Sequence, residues 1–145
     1  MKKPKKAPSR TEAADAFANA GLELDFSQSP TTWKFLNNDA FFRGLLGPVG
    51  SGKSYACAAE IFLKAVQQRP SPVDNVRYSR FVIVRNSYPE LRTTTIKTWQ
   101  NIFPEDVWGP MRWSPPITHH LKLPSRDGIP GVDCEVIFLA LDQPK

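Results

Sequence analysis

The chemistry the sequence announces most plainly lies in Gly47, Pro48, Val49, Gly50, Ser51, Gly52, Lys53 and Ser54. Glycine, four residues, then glycine-lysine-serine is the pattern of a phosphate-binding loop, the Walker A motif. Each residue type has a reason to be there. Gly47, Gly50 and Gly52 let the backbone turn tightly and reach positive φ without a Cβ clash. Successive N–H groups then face inward as an anion nest. A helix beginning at the loop adds its unpaired N–H groups and the positive end of its dipole. Lys53 supplies a point charge to the β- and γ-phosphates, and the Ser54 hydroxyl is a ligand for Mg²⁺. At ordinary glycine usage the fixed positions match by chance on the order of half a per cent of the time in a chain this long. The alternative is a glycine-rich turn with an incidental lysine. The loop therefore predicts ATP and Mg²⁺ as cofactors.

The flanking residues supply the context the motif needs. Residues 40–46 form an apolar run that reads as a buried strand. Residues 52–68 read as a helix with Ala58, Ile61, Phe62 and Ala65 at i, i+3, i+4, i+7. Pro70 and Pro72 end it. Residues 73–79 read as a connection and residues 80–85 as a strand buried on both faces of a parallel sheet. Strand, helix, strand in this span predicts a βαβ unit.

Ser87 and Glu90 then form a capping box with Pro89 in the first turn. The helix they open carries Leu91, Thr95, Trp99 and Ile102 on one face and stops at Pro104. Arg85 and Arg92 flank this turn at the carboxyl end of a strand, where open α/β sheets bind ligands. They are candidate phosphate contacts or contacts to a neighbouring subunit; the plain alternative is a surface ion pair. Residues 105–116 read as an irregular, proline-rich loop holding Trp108 and Trp113, a partner surface or simply a packed loop. Residues 118–123 read as a short strand, on which adjacent His119 and His120 face opposite sides and cannot share a metal. Residues 124–128 read as a turn and residues 134–141 as a strand, which makes a hairpin.

Composition narrows the rest. The chain has 145 residues, one domain's worth, and a formal net charge of +5. Much of that excess is in Lys2, Lys3, Lys5, Lys6 and Arg10. Residues 1–22 thus read as a basic leader and a short helix, opened by a Ser9 and Glu12 capping box and stopped by Gly21. The leader is either a solvated tail or a non-specific DNA contact. In the segment before the loop, Gln28 and Trp33 are candidate adenine contacts. The alternative makes Trp33 and Phe35 core residues under a loop. Two cysteines, Cys57 and Cys134, make neither a disulfide framework nor a metal site and read as reduced thiols in a cytosolic protein. No apolar stretch has the length of a membrane span, and none resembles a signal peptide's.

Nucleotide hydrolysis also needs a carboxylate after a second buried strand to hold Mg²⁺, and usually a glutamate to position water. Residues 136–141 followed by Asp142 have the apolar-run-then-Asp form, but Gln143 follows where the glutamate would stand. Asp142 is a weak alternative for the metal-binding acid.

Three stretches carry a family resemblance: 42–54 (FRGLLGPVGSGKS), 84–99 (VRNSYPELRTTTIKTW) and 135–142 (EVIFLALD). They resemble the large terminase subunits of tailed bacteriophages, over roughly residue 24 to the end. The arginine-tyrosine-proline stretch is the specific part, since P-loop ATPases at large do not share it. The resemblance implies a RecA/ASCE-like P-loop NTPase core, a parallel sheet with flanking helices, over residues 23–145 and incomplete at its C-terminus. It implies a motor that couples ATP hydrolysis to translocation of double-stranded viral DNA into a procapsid. Its expected partners are that DNA, the portal, the small terminase subunit and further copies of itself in a ring. Its expected location is the bacterial host cytoplasm, transiently on the procapsid. Similar terminases place the acidic motif on a later strand and carry a separate nuclease domain, so both would lie beyond Lys145. Some have an arginine inside the loop where Pro48 and Val49 stand here. This implies an ATPase in the full-length protein and binding without useful turnover by the 145-residue chain alone. Two other readings stand beside it: another P-loop DNA translocase or helicase, and a non-hydrolysing nucleotide-binding interaction module.

Overall fold

The computed structural model describes residues 29–142. The leader, its capping box and Gln28 lie outside the described residues. The described part is mixed α/β, a three-stranded sheet with helices on one face.

Pro30, with its φ preset for a first helical turn, opens α1 (Pro30–Leu36) and buries Thr32 and Leu36 one turn apart. The phosphate-loop motif follows, then α2 (Lys53–Val66). Its inner face is mostly alanine, with Ala56, Ala58, Ala59 and Ala65 buried around Phe62. Small side chains let that helix lie close to its neighbours. Next come β1 (Val76–Arg85), α3 (Tyr88–Glu90), a π-helical turn (Leu91–Thr95), α4 (Ile96–Ile102) and α5 (Glu105–Trp108). β2 (Ile117–Leu123) and β3 (Gly131–Ala140) complete the order.

The sheet runs β1-β3-β2. β1 and β3 are parallel, from Val76 opposite Gly131 to Arg85 opposite Ala140. β2 and β3 form the expected antiparallel hairpin, from Ile117 opposite Phe138 to Leu123 opposite Val132. The sheet is thus mixed rather than wholly parallel. Pairing also lengthens both long strands. Residues 76–79 read as a connection, yet they pair with residues 131–134 in the ladder. Gly131 lets the start of β3 lie close to the end of β2, since a Cβ there would lie 2.7 Å from Leu123 O.

One strand is not formed. Residues 40–46 are not a strand, and Phe41, Phe42 and Leu46 are exposed. A strand exists through its ladder, and this segment pairs with no described strand. The first member of the expected βαβ unit is therefore missing. β1 is also buried on one face only. Phe81 and Ile83 pack on the core, while Val82 and Val84 each remain 50% exposed on the other side. That open face carries the ion pairs Arg80–Glu135 and Lys122–Asp133, with the His120 ring between the two carboxylates. Exposed pairs of this kind add little stability.

The core is aromatic. Trp99 and Phe103 stack with centroids 4.4 Å apart, and Phe62 meets Trp108 edge-on at 5.4 Å. Trp99 also packs on Phe138 of the sheet at 5.6 Å. Trp108 is thus a core residue rather than a surface one. His119 is fully buried beside them. Trp99 Nε1–H donates to its Nδ1 at 2.9 Å, and its Nε2–H donates to Gly109 O at 2.9 Å. Those bonds require the neutral ring, and burial lowers its pKa. His120, its neighbour, sits on the open face.

Candidate nucleotide-phosphate site

Local chemistry shapes the loop. Gly50 and Gly52 adopt φ of +81° and +76°, the left-handed region where a side chain would be strained. Gly47 is not among the positive-φ glycines, contrary to expectation. Its requirement is space: a Cβ there would lie 3.0 Å from Ser51 Oγ. Lys53 Nζ lies inside the loop it follows. It donates to Gly47 O at 2.7 Å, Pro48 O at 2.5 Å and Ser51 Oγ at 3.0 Å. The first hydrogen bond of α2 runs from Ala56 N–H to Gly52 O at 2.9 Å. Helix geometry therefore leaves the N–H groups of Lys53, Ser54 and Tyr55 without intrahelical partners. A cation and these N–H groups at one helix end fit the oxygens of a phosphate. Ser54 is exposed in the first turn, where a metal ligand would have to stand.

Arg43 anchors the base of the loop. Its guanidinium pairs with Glu60 Oε1 of α2 at 2.5 Å. It also donates to Phe35 O at 2.9 Å and Asn38 O at 2.8 Å, and it lies 4.8 Å from the centre of the Phe35 ring. Lys64 approaches the same Glu60 oxygen at 3.8 Å. The segment before the loop, α1 and α2 thus meet at one buried guanidinium. The sequence carries no short-range signal for this, because Arg43 and Glu60 belong to different elements.

A cleft of about 340 Å³ opens between α2, the end of β1 and α4. Lys53, Ser54 and Cys57 line one side, and Arg85, Thr95, Thr98 and Trp99 line the other. Arg85 therefore shares the cleft with Lys53 and Ser54. Arg92 does not line it. Its guanidinium lies 5.9 Å from the Tyr88 ring centre and 5.7 Å from that of Trp113. Asp142 does not line it either. Its carboxylate accepts the Tyr88 N–H at 2.7 Å and so caps the start of α3. Among the described residues no carboxylate lines this cleft, and no group of His, Cys, Asp and Glu is arranged to hold a metal.

A second cleft of about 320 Å³ lies beside α1, lined by Thr31, Lys34, Phe35, Asn38, Phe42 and Arg43 among others. Leu45 borders both clefts. Trp33 borders neither and is 61% exposed, so it is not a core residue under a loop. Its place on α1 faces solvent because Thr32 and Leu36 occupy the buried stripe. Thr95, Thr98 and Arg43 were not legible as site residues. The one available signal was the five-residue spacing from Leu91 to Ile96, which fits a π turn better than an α-helix.

Comparisons with models of known protein families, with curated proteins and with solved structures find no match to this chain.

Proposed function

We propose that residues 47–54 bind the phosphates of ATP with Mg²⁺, within a P-loop NTPase fold. Lys53 supplies the charge, and Ser54 is the protein's ligand to the metal. The observation that carries this reading is Lys53 held at the centre of a loop whose two left-handed glycines precede the start of α2. The lysine's present partners are the loop's own carbonyls, which phosphate oxygens would replace with charge-assisted bonds. The cleft beside α1, with Phe35 and Asn38, offers a surface for the base, in place of the exposed Trp33.

The larger role rests on the resemblance of residues 42–54, 84–99 and 135–142. On that ground the chain is the ATP-binding part of a terminase-type motor that moves double-stranded viral DNA into a procapsid. Its partners are then the portal, the small terminase subunit and copies of itself, and its place is the host cytoplasm. No helix of the described residues is long and apolar enough to cross a membrane. A second reading, nucleotide binding without turnover, is favoured by the absence of a carboxylate from the cleft lining among the described residues.

The test of binding is titration calorimetry with ATP and Mg²⁺. Lys53→Ala removes charge-assisted hydrogen bonds worth about 1.5–3 kcal/mol, so affinity falls roughly 10- to 150-fold. Unchanged affinity in a folded Lys53→Ala protein removes the basis of the reading. The DNA role has its own test. Deleting residues 1–10 makes the log–log salt slope of duplex binding shallower by up to about 4 or 5 units if the basic leader contacts phosphates. Coding sequence downstream with nuclease carboxylates supports a terminase; helicase motifs there support another translocase.

A further inference from the structure

We propose that Thr95 and Thr98 form the second wall of the nucleotide cleft and read the terminal phosphate of a nucleoside triphosphate. This rests on the phosphate-loop reading above. The argument begins with the helix backbone. In an unbroken α-helix, Leu91 and Thr95 stand one above the other on the same face. Here the Ile96 N–H bonds to Leu91 O, the wider hydrogen bond of a π turn over Leu91–Thr95. The extra residue moves Ile96 into the core position below Leu91, and both are buried. Thr95 is thereby rotated about 100° away from that stripe. Thr98, one turn further on, shares its new side.

That side is the cleft. Thr95 and Thr98 line it with Arg85, across from Lys53 and Ser54. Thr93 lies off the cleft and commits its hydroxyl to Pro89 O at 2.8 Å. The hydroxyls of Thr95 and Thr98 hydrogen-bond to no other described residue. Two uncommitted hydroxyls opposite a lysine suit a phosphoryl group with three acceptor oxygens. Single π turns inside α-helices occur frequently at functional sites, because a plain α-helix packs at lower cost. A diphosphate lacks the group these hydroxyls would meet, so the contact distinguishes triphosphate from diphosphate.

The experiment compares ATP and ADP affinities, each with Mg²⁺, by titration calorimetry on the whole chain. Thr95→Val and Thr98→Val keep the side-chain shape and delete the hydroxyl. Each is expected to weaken ATP roughly 10- to 150-fold and to leave ADP within about twofold. Thr95→Ser and Thr98→Ser are expected to restore ATP affinity, which also covers a valine variant that fails to fold. Thr94→Val, an exposed neighbour, is expected to change neither ligand. Folded valine variants with the wild-type ratio of ATP to ADP affinity overturn the proposal. Serine variants as weak for ATP as the valine ones overturn it too. Lys53→Ala is expected to weaken both nucleotides, so a failure of the phosphate loop is separable. A wild-type chain that binds neither nucleotide removes both readings together.

Discussion

The Arg43–Glu60 pair offers the sharpest test of how the loop is held. Both side chains are nearly buried, 16% and 9% exposed, and their charged atoms are 2.5 Å apart. Arg43→Met removes the cation and strands the Glu60 carboxylate. Breaking a buried pair in this way costs about 3–5 kcal/mol. Lys64, at 3.8 Å from the same oxygen, offsets part of that, so about 3 kcal/mol is expected. At about 4 °C per kcal/mol the melting temperature falls by about 12 °C. Glu60→Leu leaves Arg43 its bonds to Phe35 O and Asn38 O and its contact with the Phe35 ring, so about 2 kcal/mol is expected. The double variant strands no charge. It loses only the bonds to those two carbonyls, about 1–2 kcal/mol together, since exposed Asn38 can turn to water. The coupling is then about 3 kcal/mol, read from urea unfolding of the four proteins. A double variant as unstable as the sum of the singles would refute the claim that the two side chains act as one knot.

Burial holds the His119 imidazole below its ordinary pKa, so the unfolded chain takes up protons first as pH falls. That contribution to stability is complete above about pH 6.5 and is lost as pH drops from there toward the lowered folded value. The urea midpoint should fall between pH 7.5 and 5.5, and by less in His119→Gln; identical slopes would contradict the neutral, doubly bonded ring. Cys57 is exposed in the cleft, with its thiol pKa raised by partial desolvation and by Glu60, while Cys134 is buried with its thiol pushed up to about 11. Alkylation of the native protein should therefore modify Cys57 alone, and ATP with Mg²⁺ should slow it; reaction at Cys134 or no protection would count against this placement. Asp142 caps α3, so Asp142→Asn should cost under about 1 kcal/mol and leave phosphate release at background. Among the described residues no carboxylate lines the cleft, and a water-positioning base contributes about 10²–10⁴-fold. Steady-state turnover by the 145-residue chain, abolished by Asp142→Asn, would make Asp142 the metal-binding acid after all.

Legibility divided along the range of the forces. The turn through Gly50 and Gly52, α2, the Ser87 cap and the β2–β3 hairpin follow from residues a few positions apart. Gly50 and Gly52 take left-handed φ without a Cβ penalty, and Ser87 Oγ accepts the Glu90 N–H, three residues on, at 3.4 Å. The amphipathic stripe of α2 is equally local. What the linear order left undecided depends on partners far along the chain. Residues 40–46 have strand composition, yet composition cannot supply a ladder, and no described strand runs beside them. Residues 76–79 become strand because residues 131–134 lie alongside. Arg85 and Arg92 looked equivalent in sequence, but one lines the cleft across from Lys53 and the other rests against Tyr88 and Trp113. The π turn that separates Thr95 from the core is likewise a packing decision. Burying Leu91, Ile96, Trp99 and Ile102 together outweighs the regular spacing that local sequence would prefer.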